Sequence, residues 1–315
     1  MSRYVFGPIA SRRLGASLGV DLVKAKTCSL DCIYCEAGAT TVHTLDRTEA
    51  VPVDAVIAEL RTVLGGNPPK IDFVTFSGAG EPTLNSRIGD VIRFLKAEFP
   101  QYPVCLLTNG CGLFDPALRR ELAGLDVAVP SLDASNEAEF QTINRPAAGL
   151  TFAMLADGLR AFSRESTAKI WLELVVVPGV NDSDASIARF ADIIRTLRVD
   201  KIQLNTLDRP GVLDRVRPAP PETLAKFAAA LSPIAPVETA ARRDPEKETG
   251  AELVRTEMVC RILEITAKRD ATAEDLAREV EAELPVVEAN LARLTAAGML
   301  RLIRRPEGVF YRRRA

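Results

Sequence analysis

The chain has 315 residues and a formal net charge of −2, with 40 Lys and Arg against 42 Asp and Glu, and 47% of its residues are hydrophobic. That length allows two domains around a large core, and the near-neutral balance leaves any message about partners to local charge. No apolar run approaches a membrane span and the N-terminus lacks a basic stretch followed by an apolar one, so a cytoplasmic chain with no membrane partner is expected.

Apolar β-rich runs over 17–23, 71–77, 104–108, 127–132, 169–177 and 201–206 alternate with segments of helical period over 53–64, 85–98, 116–123, 151–164 and 184–197. The alternation predicts an α/β fold in which crossover helices join parallel strands. Six such units make a partial (β/α)6 TIM-like barrel, too short to close like the eight-stranded form. Its site is expected at the C-terminal ends of the strands, where the βα loops gather.

The first of those loops holds Cys28-Ser29-Leu30-Asp31-Cys32-Ile33-Tyr34-Cys35. A 4Fe-4S cluster takes four thiolates, so a loop that supplies three leaves one iron open to a substrate or cofactor. The alternative is a zinc site completed by His43, the single histidine, since zinc accepts three thiolates and one imidazole. A c-type haem is excluded because Glu36 follows Cys35. Six cysteines in a chain of this length do not read as a disulfide framework. Cys105 and Cys260 read as small core residues, and Cys111 either as another or as a group facing the site.

After the second strand, small residues in Ser77-Gly78-Ala79-Gly80-Glu81-Pro82-Thr83 allow close backbone approach to a ligand, and Glu81 offers a carboxylate to an ammonium. The same residues also suit a tight turn with Pro82 opening a helix. The third strand ends at Thr108-Asn109-Gly110 and the fourth at Ser131-Leu132-Asp133, which places short polar groups at the sheet edge or in ordinary turns and caps. Gln203 and Asn205 on the sixth strand either line the site or pair within the barrel. Arg12, Arg13 and Arg145 suit a phosphate or carboxylate at the barrel mouth, or salt bridges that pin their own loops.

The barrel is expected over 1–235, a Pro-, Ala-, Glu- and Arg-rich linker over 236–252, and a second domain over 253–315. In that domain helical periodicity runs over 253–269. Thr272 with Asp275 caps a short helix through Val280, and a third helix starts near Pro285 and ends at Gly298. Arg305-Pro306-Glu307-Gly308 then turns a β-hairpin. Three helices and a hairpin resemble a winged helix-turn-helix. Arg301, Arg304, Arg305, Arg312, Arg313 and Arg314 against Glu307 favour a nucleic acid. Glu288 and Arg293 give the third helix no net charge, so a peptide partner or a packing role stays open.

The cysteine spacing, with an aromatic residue before the last cysteine, resembles the cluster loop of radical S-adenosylmethionine enzymes. Gly7-Pro8-Ile9, Ser11-Arg12-Arg13-Leu14-Gly15, Ser77 to Leu84, Ile143-Asn144-Arg145-Pro146, Pro178 to Asp182 and Gln203-Leu204-Asn205-Thr206 look like the branch related to the wyosine-base synthases of transfer RNA, over roughly residues 3–235. The resemblance implies a 4Fe-4S cluster on Cys28, Cys32 and Cys35, with S-adenosylmethionine on its open iron. Cofactor contacts then fall on Tyr34, on Gly78, Gly80 and Glu81 around the amino group, on Asn109, Ser131 and Asp133 around the ribose or carboxylate, and on Gln203 and Asn205 near the adenine. It further implies a 5'-deoxyadenosyl radical that abstracts hydrogen, an electron donor such as flavodoxin or ferredoxin, and a transfer RNA substrate. No general base is assigned. Wyosine synthases hold a second cluster on upstream cysteines, and none precedes Cys28. They hold pyruvate on a lysine, for which Lys24 and Lys26 are the candidates here. Two further functions stay open: a radical enzyme that modifies peptides gripped by the winged helix, and an iron-sulfur regulator that binds DNA.

Overall fold

Runs such as Val104-Cys105-Leu106-Leu107 are apolar without alternation, as strands covered on both faces must be. In this computed structural model they pair in that way. The structure describes residues 4–11, 14–66, 68–207, 212–213, 216–239, 258–259, 261–263, 265–266, 269–280, 282–296, 299–306 and 308–313. Arg12, Arg13, Cys260, Gly298, Glu307, Arg314 and most of the expected linker lie outside them. The chain divides into two units, residues 2–242 and 243–315.

In the first unit, β1 (Val5–Ser11) and β2 (Gly15–Val20) precede two short paired segments, β3 (Thr27–Cys28) and β4 (Val42–His43). Strands and helices then alternate: α1 (Val53–Gly65), β5 (Phe73–Phe76), α2 (Ile88–Glu98), β6 (Val104–Thr108), α3 (Pro116–Glu121) and β7 (Val127–Pro130). The unit ends with α4 (Glu137–Ile143), α5 (Phe152–Glu165), β8 (Lys169–Val175), α6 (Asp184–Ile194), β9 (Lys201–Asn205), α7 (Pro221–Leu231) and β10 (Val237–Thr239). The sheet order is β1-β2-β5-β6-β7-β8-β9-β10, and every neighbouring pair except β1–β2 is parallel. The two end strands do not pair, so the barrel stays open.

Helices cover the sheet through apolar stripes. α5 is capped by Thr151, whose hydroxyl accepts from the Met154 N–H, and it buries Leu155, Leu159 and Phe162. Full burial of each such side chain contributes about 2 kcal/mol, and together these stripes hold the crossover helices over the strands.

The six expected strands are β2, β5, β6, β7, β8 and β9, adjacent in that order. Two edge strands add to them. β1 contains Gly7-Pro8, a pair that reads as a breaker, but proline is tolerated on an edge strand, and the pairing is irregular between Phe6 and Ile9. β10 has three residues and extends the sheet to Thr239, inside the expected linker. The helix expected over 85–98 begins at Ile88. Asn85 stands outside it, with its amide donating to the Leu22 and Val51 carbonyls.

The second unit has helical residues at 258–259, 261–263 and 265–266, then α8 (Ala273–Glu279), α9 (Leu284–Ala296) and a hairpin of β11 (Leu300–Arg305) and β12 (Gly308–Arg313). Thr272 and Asp275 form a reciprocal capping box at the start of α8. Ala271 bridges to Tyr311 of the hairpin. Met258, Ile262, Leu276, Val287, Leu291 and Leu300 fill a core of the unit's own.

Candidate active site

The cysteine loop follows β2 and is clamped from two sides. On one side Ile33 N–H donates to the Ile143 carbonyl at 2.9 Å, Asp31 N–H to that of Asn144 at 3.0 Å, and Ala147 N–H to that of Ser29 at 2.9 Å. On the other, Lys26 N–H donates to the Ala79 carbonyl at 2.6 Å and Glu81 N–H to that of Thr27 at 3.0 Å. Gly80 is therefore required by approach of the chain to itself: a Cβ there would stand 2.2 Å from the Thr27 carbonyl oxygen. At Gly78 a Cβ would meet the Asp21 carboxylate at 2.4 Å.

The structure brings the three thiols into one electrostatic environment. Burial, followed by the charge of Glu81, pushes the Cys28 thiol up to about 12, and the Cys35 sulfur adds to the rise. Burial and then Asp133 raise Cys32 well above its ordinary value, with Cys28 and Cys35 contributing. As thiolates they need a cationic centre beside them, and a coordinating metal supplies one. The donor set therefore fits a metal or cluster. Thiolates that bind different irons of one cluster do not converge as the ligands of one ion do, and among the described residues no three Cys, His, Asp or Glu groups so converge. His43 pairs with Cys28 across β3–β4, but its Nε2 lies 3.1 Å from the Ser29 carbonyl oxygen. The imidazole thus satisfies the backbone, which counts against the zinc arrangement.

Around the thiols stand most of the polar residues singled out above. Glu81 is buried and accepts from Thr83 N–H at 3.1 Å, Thr83 Oγ1 at 2.7 Å, Thr108 Oγ1 at 2.7 Å and Asn109 N–H at 2.8 Å. Four donors nearly fill a carboxylate's acceptor capacity, so Glu81 anchors the loop. Asn109 donates its amide to Ser29 Oγ at 2.9 Å and Cys28 Sγ at 3.5 Å, while its Oδ1 accepts from Cys111 N–H.

Asp133 is the hub on the opposite side. Its Oδ2 accepts from the Tyr34 hydroxyl and from Asn144 Nδ2 at 3.2 Å, and its Oδ1 from Val175 N–H at 2.9 Å. Burial raises its pKa to about 6 against the lowering effect of those bonds. The same burial, with Asp133 next, raises the Tyr34 phenol. Ser131 sits half-buried at the end of β7, its N–H on the Thr108 carbonyl, and bridges to Glu173 of β8. On β9, Asn205 donates to Glu173, and buried Gln203 donates to Glu238 at 3.5 Å while its Oε1 has no partner.

Three residues of the site carried no assigned role in the sequence reading. Asn144 is buried, donates to Cys32 Sγ at 3.4 Å as well as to Asp133, and keeps an unpartnered buried Oδ1. Its place in the Ile143-Asn144-Arg145-Pro146 motif is the signal in the sequence that marks it. Asn181 ties the Asp133 and Val175 carbonyls together at 2.8 Å each. Glu173 raises both Asp133 and Tyr34. A carboxylate inside the apolar run of β8 was the available signal for it. Cys111 is both buried and beside the site, since Glu81, Cys32 and Cys28 all raise it after burial. Arg145 forms a 3.6 Å ion pair with Asp31, the pinning role, from a left-handed backbone with φ +45°. Lys24 is exposed, whereas Lys26 reaches Cys35 Sγ at 3.6 Å.

Comparison with known proteins gives a match to the Radical SAM superfamily over residues 22–191, more than half of the chain. A protein of Brachyspira hyodysenteriae described as GTPase Obg is 36% identical over 66% of this chain, which spans 30% of that relative. A UPF0026 protein of Methanocaldococcus jannaschii is 30% identical over 73% of this chain and 71% of its own length. Among solved structures, a radical SAM methyltransferase from Sphaerobacter thermophilus aligns with a TM-score of 0.54 at 23% identity, covering 71% of this chain and 65% of that one. The last is a likeness of fold.

Proposed function

The chain belongs to the radical SAM superfamily, and from that premise we propose that it is an enzyme of radical chemistry on a nucleic-acid substrate, with transfer RNA as the specific expectation. Its cofactors are a 4Fe-4S cluster and S-adenosylmethionine. The observation that carries the reading is the half-buried set of Cys28, Cys32 and Cys35, on a loop clamped between the 143–147 segment and the Gly78–Glu81 turn. A cluster held by these cysteines would supply, once reduced, the electron for reductive cleavage of S-adenosylmethionine, and with it radical chemistry on the substrate.

The chain's own residues hold and orient. Cys28, Cys32 and Cys35 are the cluster ligands. The Gly78–Gly80 turn would hold the cofactor's amino group, while Glu81 fixes that turn through Thr83, Thr108 and Asn109. Tyr34, Asn109, Ser131 and Asp133 line the carboxyl edge of the sheet, where the cofactor's polar groups are met. Gln203, whose buried Oε1 lacks a partner, and Asn205 would meet the adenine from β9. Burial of Glu81, Asp133 and Gln203 limits water along this edge.

The nucleic-acid part rests on the second unit, which we read as a winged helix whose wing is the β11–β12 hairpin. Arg301 and Arg304 are exposed there and Arg313 is half-buried. Arg305 and Arg312 share Asp270, at 2.5 and 3.5 Å, so two of the wing cations are partly neutralised. Likeness to the wyosine-base branch adds transfer RNA as the named substrate. In the test, Arg301, Arg304 and Arg313 are changed together to alanine and RNA binding is followed against salt. Loss of three phosphate contacts should flatten the plot of log K against log salt by roughly 2 units. An unchanged slope and affinity would remove RNA from the account.

One observation favours a second reading. Among the described residues of α9 and its lead-in, the exposed ones are Glu283, Pro285, Val286, Glu288 and Ala292, acidic or uncharged. A helix that enters a nucleic-acid groove gains little from two carboxylates, whereas a basic peptide would pair with them. Peptide-dependent, RNA-independent cleavage of S-adenosylmethionine would select this alternative.

A further inference from the structure

Each cluster cysteine has a side-chain donor from outside the 28–35 loop. Asn109 Nδ2 lies 3.5 Å from Cys28 Sγ, Asn144 Nδ2 lies 3.4 Å from Cys32 Sγ, and Lys26 Nζ lies 3.6 Å from Cys35 Sγ. Two of these donors are neutral amides and the third is a cation. Among the described residues, no other ammonium or guanidinium stands within hydrogen-bond reach of these three sulfurs.

Lys26 holds that place from a backbone few lysines adopt. Its φ is +63°, and Arg145 is the one other non-glycine residue with positive φ among the described residues. Neighbours over-determine the position: Lys26 N–H donates to the Ala79 carbonyl at 2.6 Å, and its own carbonyl accepts from Thr41 and Val42 at 3.0 Å each. Backbone held in a sparsely populated region at a site points to a role for the side chain it aims. The charges nearby are otherwise negative, with Glu81 acting on Cys28 and Asp133 on Cys32.

Reduction of a cluster adds one negative charge to a centre already carrying thiolates. A cation against a ligand sulfur stabilises the reduced form more than a neutral N–H does, and donors to the sulfurs are an established lever on cluster potential. We infer that Lys26 tunes the reduction potential of the cluster upward by holding its ammonium on the Cys35 sulfur. This is a positioning role and leaves the lysine engaged rather than offered to a carbonyl. It rests on the cluster reading given above.

The test uses the full-length protein, loaded anaerobically with iron and sulfide and titrated with dithionite, the reduced cluster being followed by electron paramagnetic resonance. At the wild-type midpoint, Lys26→Met should hold about tenfold less reduced relative to oxidised cluster, a shift of about 59 mV for a one-electron couple. Lys26→Arg, which keeps the charge, should titrate with the wild type. Should Lys26→Met fail to load, Lys26→Gln carries the same expectation. A wild-type midpoint in the neutral variants would overturn the inference, as would an equal shift in Lys26→Arg. A wild-type protein that assembles no reducible cluster would instead overturn the cluster reading, and this inference with it.

Discussion

Asp133 shows how one buried carboxylate organises a site and what that costs. Its four partners, the Tyr34 hydroxyl, Asn144, Val175 N–H and the Asn181 amide on its carbonyl, come from separate parts of the chain. Burial still wins over three hydrogen bonds to its side chain, and the folded pKa is raised from 3.8 to about 6. A carboxylate raised in the folded state binds its proton there when the unfolded chain has released its own, so its contribution to stability falls as pH rises from near 4 to above 6. The full difference is roughly 3 kcal/mol. Urea denaturation of the metal-free wild type against Asp133→Asn should therefore show a decline across that window that the variant lacks. Parallel pH profiles would mean that Asp133 is already ionised in the folded protein near pH 4.

At the scale of elements, the site is a meeting of three backbone segments, and only part of that meeting could be read in advance. Sheet order and the cysteine loop were legible, because parallel strands buried on both faces are continuously apolar and metal ligands keep fixed spacing. What was not legible is contact between distant segments. Gly78 and Gly80 read as small for a ligand's sake, yet they are small because Asp21 and the Thr27 carbonyl press against them. Glu81 read as a free acceptor, yet Thr83, Thr108 and Asn109 use it. The edge strands β1 and β10 escaped notice for local reasons, a Gly-Pro pair in one and a length of three residues in the other. Gly80→Ala tests the clamp directly. With its Cβ 2.2 Å from a backbone oxygen, the two segments must part, at a cost of about 1–3 kcal/mol. Iron content after anaerobic loading should fall with stability in this variant. Full loading at wild-type stability would show that the clamp yields freely.

In the whole molecule a radical SAM barrel is joined in one chain to a second unit with an arginine-bearing hairpin, a core of its own and a capped helix. Each has a separate observable: cofactor cleavage for the first and salt-dependent binding for the second. Reductive cleavage of S-adenosylmethionine by the loaded barrel is tested most directly by measuring 5'-deoxyadenosine formed by anaerobically loaded, dithionite-reduced protein, with and without bulk small RNA. The wild type should form 5'-deoxyadenosine, a Cys28, Cys32 and Cys35 triple alanine variant none, and RNA should speed its formation. Protein carrying a full, reducible cluster that forms no 5'-deoxyadenosine under either condition would contradict that cleavage.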